Sequence, residues 1–212
     1  MLDELNANAA KPSTSGVGLL EEAIHYAITA VQPITPRLLT RRTPCREWDL
    51  MMLLLHLGNS LGALHEGMHL GRVALGDRRH GGSVRAGHAG DESVANPVST
   101  LRVRAVRLLR SCWALRERSR KVAIGAADFS SDMVAGVGAI EVAVHAWDIA
   151  QASGAPRPIP AALAAELLQI SHMAVPESDR HPLFAEAVEP PPSAQSSDRL
   201  VAFLGRRPLP LA

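Results

Sequence analysis

Cysteine is scarce in this chain: Cys45 and Cys112 stand far apart and form no CxxC pair. That argues against a disulfide-stapled scaffold and fits a reducing compartment. An excess of charge is missing as well. A formal net charge of +1 gives no electrostatic footprint for nucleic acid or for an acidic surface. Long hydrophobic runs are also lacking. The nearest, Leu50 to Leu57, is short and contains His56, whereas a membrane span needs roughly 20 apolar residues. The N-terminal stretch begins acidic and has no apolar core of a secretory leader. Strand-like alternation is weak throughout, and no internal repeat stands out. These absences predict a cytoplasmic all-α protein whose partner is a small molecule, with neither nucleic acid nor a membrane involved.

What is present is a chain of 212 residues, 47% hydrophobic and 20% charged, enough to bury a sizeable core. Residues 1–16 read as a flexible lead-in ending in Lys11-Pro12-Ser13-Thr14-Ser15-Gly16. Leu20, Ala23, Ile24, Ala27, Ile28 and Val31 keep the three–four rhythm of a first helix over Leu19 to Val31, which Pro33 and Pro36 end. A second helix is expected from Trp48 to Leu75, opened by Thr43 or Cys45, with Glu47 and Asp49 at the positive end of its dipole. Gly58, Gly62 and Gly71 should mark close packing along it. Residues 76–96, rich in Gly, Arg and His, form a long crossover, in which His80 and His88 should be solvated. Pro97 to Glu117 resumes helical spacing. There Arg102, Arg104, Arg107 and Arg110 make a cationic face, or in part reach a pocket mouth and grip an anionic substrate. A fourth helix starts near Ser130 or Ser131 and stops at Gly154. Ala161 to Met173 and Asp198 to Leu204 are shorter helices beyond it. Four long helices with a crossover between the second and third describe a four-helix bundle over 17–154, with a helical C-terminal extension over 155–212.

The chemistry concentrates in Gly138 to Gly154. Glu141 and His145 lie four apart in an apolar, alanine-rich helix, and so share one face. An acid and an imidazole among core residues need a partner. Either they pair with each other or a divalent metal takes both, since carboxylate and neutral imidazole suit zinc. His56, set among Leu53, Leu54, Leu55 and Leu57, is a third inward candidate. A competing pattern is His65-Glu66-Gly67-Met68-His69, which matches HExxH, with Glu92 downstream. Nine residues at ~100° each carry His65 about half a turn around the helix from His56. If His56 faces the core, His65 and His69 face out, which disfavours a zinc protease.

Thr43-Pro44-Cys45, Trp48-Asp49, His56-Leu57, Glu141 with His145, Trp147-Asp148 and Ser153-Gly154 together resemble the DinB-like superfamily. Within it, the match is to the metal-binding domain of mycothiol-dependent maleylpyruvate isomerases, and the closing DRLVAFLGRRP is similar to the tail of one subfamily. The resemblance implies that His56, Glu141 and His145 bind a divalent metal, usually zinc. It further implies that mycothiol binds at the remaining coordination position as a thiolate and adds to a small electrophile, for isomerisation or S-transfer. Asp148 would orient a histidine ligand, or simply make a helix hydrogen bond. Cys45 reads as a packed residue at the helix start rather than a nucleophile. The 58 residues that follow Gly154 are too few for the extra domain of maleylpyruvate isomerase itself at an ordinary domain size, which disfavours maleylpyruvate as substrate. Two other readings stay open: a non-catalytic metal-binding protein, and a metal-dependent enzyme that uses no thiol. An apolar bundle could also form a homodimer.

Overall fold

The computed structural model describes residues 14–45, 48–73, 96–115, 119–175, 180 and 185–208. Most of the expected lead-in and nearly all of the crossover, with His80, His88 and Glu92, lie outside these residues, as does Glu47. The described chain is mostly helical with one small sheet: α1 (Gly16–Ala30), a 3-10 turn (Pro36–Leu38), α2 (Leu50–Leu70), β1 (Arg72–Val73), α3 (Pro97–Leu115), β2 (Lys121–Ile124), β3 (Ala127–Ser130), α4 (Ser131–Ser153), α5 (Ala161–Ala174) and α6 (Ser196–Phe203).

Side-chain caps decide where the long helices begin. Ser15, Asp49 and Ser130 each accept a backbone N–H from the first turn, of Gly18, Met52 and Met133 respectively. Asp49 thus caps α2, later in the chain than either expected opener, Thr43 or Cys45. α2 also ends sooner than expected, at Leu70 rather than Leu75, because Gly71 adopts a left-handed conformation (φ 72°) and its N–H closes on the Gly67 carbonyl. Gly154 (φ 78°) ends α4 in the same way, at the expected place.

α4 is buried nearly all round, against α1, α2 and α5; α2 also packs on α3, α1 on α3, and α6 on α5. An apolar circumference is what a central helix needs. α4 is, among the described residues, the one helix long and apolar enough to cross a membrane, with mean hydropathy 1.4 over a window that is 83% buried. Glu141, His145 and Asp148 interrupt its apolar run. Its apolar surface is spent against its neighbours. Leu53, Leu54, Leu57 and Leu61 of α2 are fully buried in the same core, each contributing about 1.5–3 kcal/mol.

The crossing of α1 over α4 depends on Gly16. A Cβ there would lie 2.0 Å from the Asp132 carbonyl oxygen, and the Asp132 carboxylate accepts the next N–H, of Val17, at 3.2 Å. Gly16→Ala should therefore destabilise the fold by about 1–3 kcal/mol in chemical denaturation. The gain in helix propensity, at most about 1 kcal/mol, is smaller than the cost of separating two backbones. The expected close packing does not hold at Gly62, where an added Cβ would meet nothing within 4 Å.

The chain is mainly helical, as expected, and carries in addition one small sheet that the expectation of an all-α chain did not include. β1 pairs parallel with β2, and β2 pairs antiparallel with β3 through a two-residue turn at Gly125 (φ 61°). Strands of two to four residues, one of them exposed at every position, are too short to show an alternating pattern. The hairpin delivers the chain directly into Ser130, the α4 cap.

Candidate metal centre

The segment before α2 is a tight knot. The Thr43 hydroxyl lies 3.0 Å from the Cys45 carbonyl and 2.8 Å from the Trp48 carbonyl, and the Trp48 N–H donates to Cys45 O at 2.9 Å. The Arg41 guanidinium reaches across to the Ser153 carbonyl at the end of α4. These bonds hold Cys45 and the Trp48 indole against the middle of α4. The Trp48 ring lies 4.3 Å from the His56 ring and 6.0 Å from that of His145.

His56, Glu141 and His145 do converge. His56 Nε2 is 2.7 Å from Glu141 Oε1, and His145 Nε2 is 3.4 Å from the same oxygen. Ser60, one turn beyond His56 on α2, donates its hydroxyl to that oxygen at 3.0 Å. Donor atoms of a tetrahedral zinc ion, with bonds of about 2.0–2.1 Å, stand about 3.3 Å apart, so the spacing suits one small cation. His145 is nearly buried, whereas the side chains of His56 and Glu141 are 36% and 37% exposed, so one side of the cluster opens to solvent.

The other ring nitrogen of His145 faces a second layer. Nδ1 is 3.2 Å from Asp148 Oδ2, which makes it an N–H donor to that oxygen and points Nε2 toward Glu141. Oδ2 also accepts from the Cys45 thiol at 3.1 Å and from Arg206 Nη2 at 3.0 Å. Asp148 is fully buried, and its Oδ1 has no hydrogen-bond partner among the described residues. Burial pushes the Asp148 carboxyl up, but the His145 hydrogen bond and the Arg206 charge outweigh it and hold the group below its usual range. Burial likewise opposes charge on His145. Its bonds to Asp148, Cys45 and Glu141 win and raise it well above 6.5. Glu141 is held well below the usual carboxylate range, its burial outweighed by bonds to His145 and His56.

Among the described residues, two groups bring three ligand atoms within 4.8 Å of one another: His56, Glu141 and His145, and Cys45, His145 and Asp148. The second already contains a cation, since Arg206 lies 3.4 Å from Cys45 Sγ as well as 3.0 Å from Asp148. The guanidinium occupies the role a metal would take there. The first group has no such cation and fits a divalent ion by its donor chemistry. His65 and His69 belong to neither. Their rings stack at 5.5 Å, and His65 Nδ1 bonds to Ser111 Oγ at 2.9 Å, so His65 is half-buried against α3 rather than facing out.

Cys45, Ser60 and Arg206 were not legible as site residues. For Arg206 a signal existed. Gly205 (φ 83°) closes α6 in a Schellman turn, its N–H on Ala202 O and that of Arg206 on Val201 O, so the residue after this glycine leaves the helix in a set direction. Comparison with protein families, with characterised proteins and with solved structures finds no match to this chain.

Proposed function

We propose that the chain is a divalent-metal protein, with zinc held by His56, Glu141 and His145, that uses a low-molecular-weight thiol such as mycothiol to act on a small electrophile as an S-transferase or isomerase. The observation that carries this reading is the approach of His56 Nε2 and His145 Nε2 to one carboxylate oxygen of Glu141. The mutual packing of α1, α2, α3 and α4 supports a four-helix bundle of the DinB-like kind as the scaffold. Three protein donors leave a coordination position free, the arrangement of catalytic rather than structural zinc sites. A bound divalent cation lowers the pKa of a thiol it accepts and so supplies a nucleophile at neutral pH. The chain's own residues do the rest. Asp148 holds the tautomer of His145, Ser60 orients Glu141, and the Trp48 indole gives an apolar wall beside the solvent-facing side.

Elemental analysis and a thiol-binding titration on wild type test the reading. About one zinc per chain, thiol binding, and thiol-dependent loss of an electrophile are expected. Metal without turnover would make the protein a non-catalytic metal binder, and turnover without thiol would remove the thiol from the mechanism.

Metal uptake should also be coupled to protons. His145 is raised above 6.5 and is charged at neutral pH, so its Nε2 must lose a proton before it can bind a cation. Affinity should therefore rise with pH, by about tenfold per unit below the folded-state pKa of His145, and level off above it. Calorimetry in buffers of different ionisation enthalpy reads the proton directly. A pH-independent affinity would remove His145 from the ligand set.

A further inference from the structure

A cavity of about 210 Å³ opens between α2 and α3, lined by Asn59, Gly62, His65, Arg104 and Arg107. At ~100° per residue, His65 lies about half a turn around α2 from His56, so this cavity is on another face of the helix from the metal centre. Among the described residues its lining holds two guanidinium groups, an imidazole and a carboxamide, and no carboxylate. Among the described residues neither arginine has an acidic partner within ion-pair distance.

The polar groups are arranged rather than merely adjacent. Arg104 Nη1 donates to Asn59 Oδ1 at 2.8 Å, which steadies the guanidinium and leaves the Asn59 amide hydrogens to spare. The Ser111 hydroxyl donates to the Arg107 carbonyl at 3.5 Å, so its oxygen accepts from His65 Nδ1 and leaves His65 Nε2 for another partner. His65 is lowered from 6.5, first by burial and then by the charges of His69 and Arg107. Gly62 is the reason there is room: a side chain there would meet nothing within 4 Å and would project into open space. Arg107 is exposed, as are Arg102 and Arg110, but only Arg107 of these three lines the cavity.

We propose that this cavity binds a small oxyanion, phosphate or carboxylate, between Arg104, Arg107 and His65. Forked guanidinium groups suit both chemistries. Ligand pockets commonly exceed about 300 Å³, so this one takes a small anion or the charged end of a larger molecule. The site is independent of the metal reading.

The test titrates the full-length chain with inorganic phosphate and, separately, with succinate, following the imidazole signals of His65 by NMR. Saturable binding of either, with His65 shifting toward its protonated form, is expected, and the two arms show which oxyanion is preferred. Arg107→Gln should weaken binding by about tenfold or more, the worth of a charge-assisted bond. Gly62→Leu should abolish it by filling the cavity without changing charge, while Arg110→Gln should leave it unchanged. Glu141→Gln, which disables the metal centre, should retain it, so that failure here and failure of the metal proposal are told apart. Absence of saturable binding would overturn the proposal. So would equal losses in Arg107→Gln and Arg110→Gln, which would mean diffuse surface charge, or full binding in Gly62→Leu.

Discussion

Alanine in place of His145 should abolish the divalent-metal binding proposed for this site. The imidazole works at both ends, Nε2 toward Glu141 and Nδ1 on Asp148. Its loss removes a ligand and the element that joins the ligand set to the buried acid behind it. Metal content after dialysis against a weak chelator should fall from about one ion per chain to near zero, because two protein donors rarely hold zinc. His56→Ala and Glu141→Gln should behave alike, the latter with its shape preserved. Circular dichroism should show all three folded, since Asp148 keeps its bond to Arg206 and the α4 core is untouched. His65→Ala and His69→Ala should leave metal content unchanged. The reverse pattern, with metal lost from the His65 or His69 variants and kept in the His145 variant, would transfer the ion to the HExxH stretch.

A larger cost in stability is expected at Arg206. Its guanidinium sits 3.0 Å from a carboxylate that is fully buried, and is itself only 14% exposed. Arg206→Met would take the guanidinium from the buried Asp148 carboxylate and leave it the His145 imidazole and the Cys45 thiol. Breaking a buried pair from one side costs about 3–5 kcal/mol, or a Tm lower by roughly 6–20 °C at this chain length. Removing both charges, with Asp148→Asn added to Arg206→Met, should recover most of that loss, because the penalty lies in the unpaired ion. The double variant should still bind metal about 10–100-fold more weakly than wild type, since the partner that orients His145 is altered. Denaturation and metal titration across the four-member cycle read the two effects separately. A double variant no more stable than Arg206→Met would show that the pair does not act as a unit.

Both predictions bear on how differently the parts of this site can be read from the chain. Glu141 and His145 were legible because helical periodicity acts over four residues, and an alanine-rich run without proline leaves little doubt about the helix. His56 was legible as an inward histidine for the same reason, though nothing local ties it to α4. Cys45 was expected to be a packed residue at the helix start. It is packed, but its thiol bonds to Asp148 across 103 residues of chain. Arg206 meets that carboxylate from the far side, 58 residues later. Pairings over such separations leave no periodic trace. The three strands escaped notice for the opposite reason: their pairing is local at the hairpin, but too short to set up an alternation.

By itself the sequence determined the helical elements, the glycine stop at Gly154, and the face that Glu141 and His145 share, because backbone capping and helical periodicity are short-range effects. Tertiary structure alone decided which of the overlapping donor groups is free to take a cation. His145 offers one nitrogen to each, and only the arrival of Arg206 beside Asp148 and Cys45 supplies one side with a positive charge. Charges a few ångströms apart in a buried setting interact far more strongly than any local preference, and the packing of the helices is what brings them to that distance.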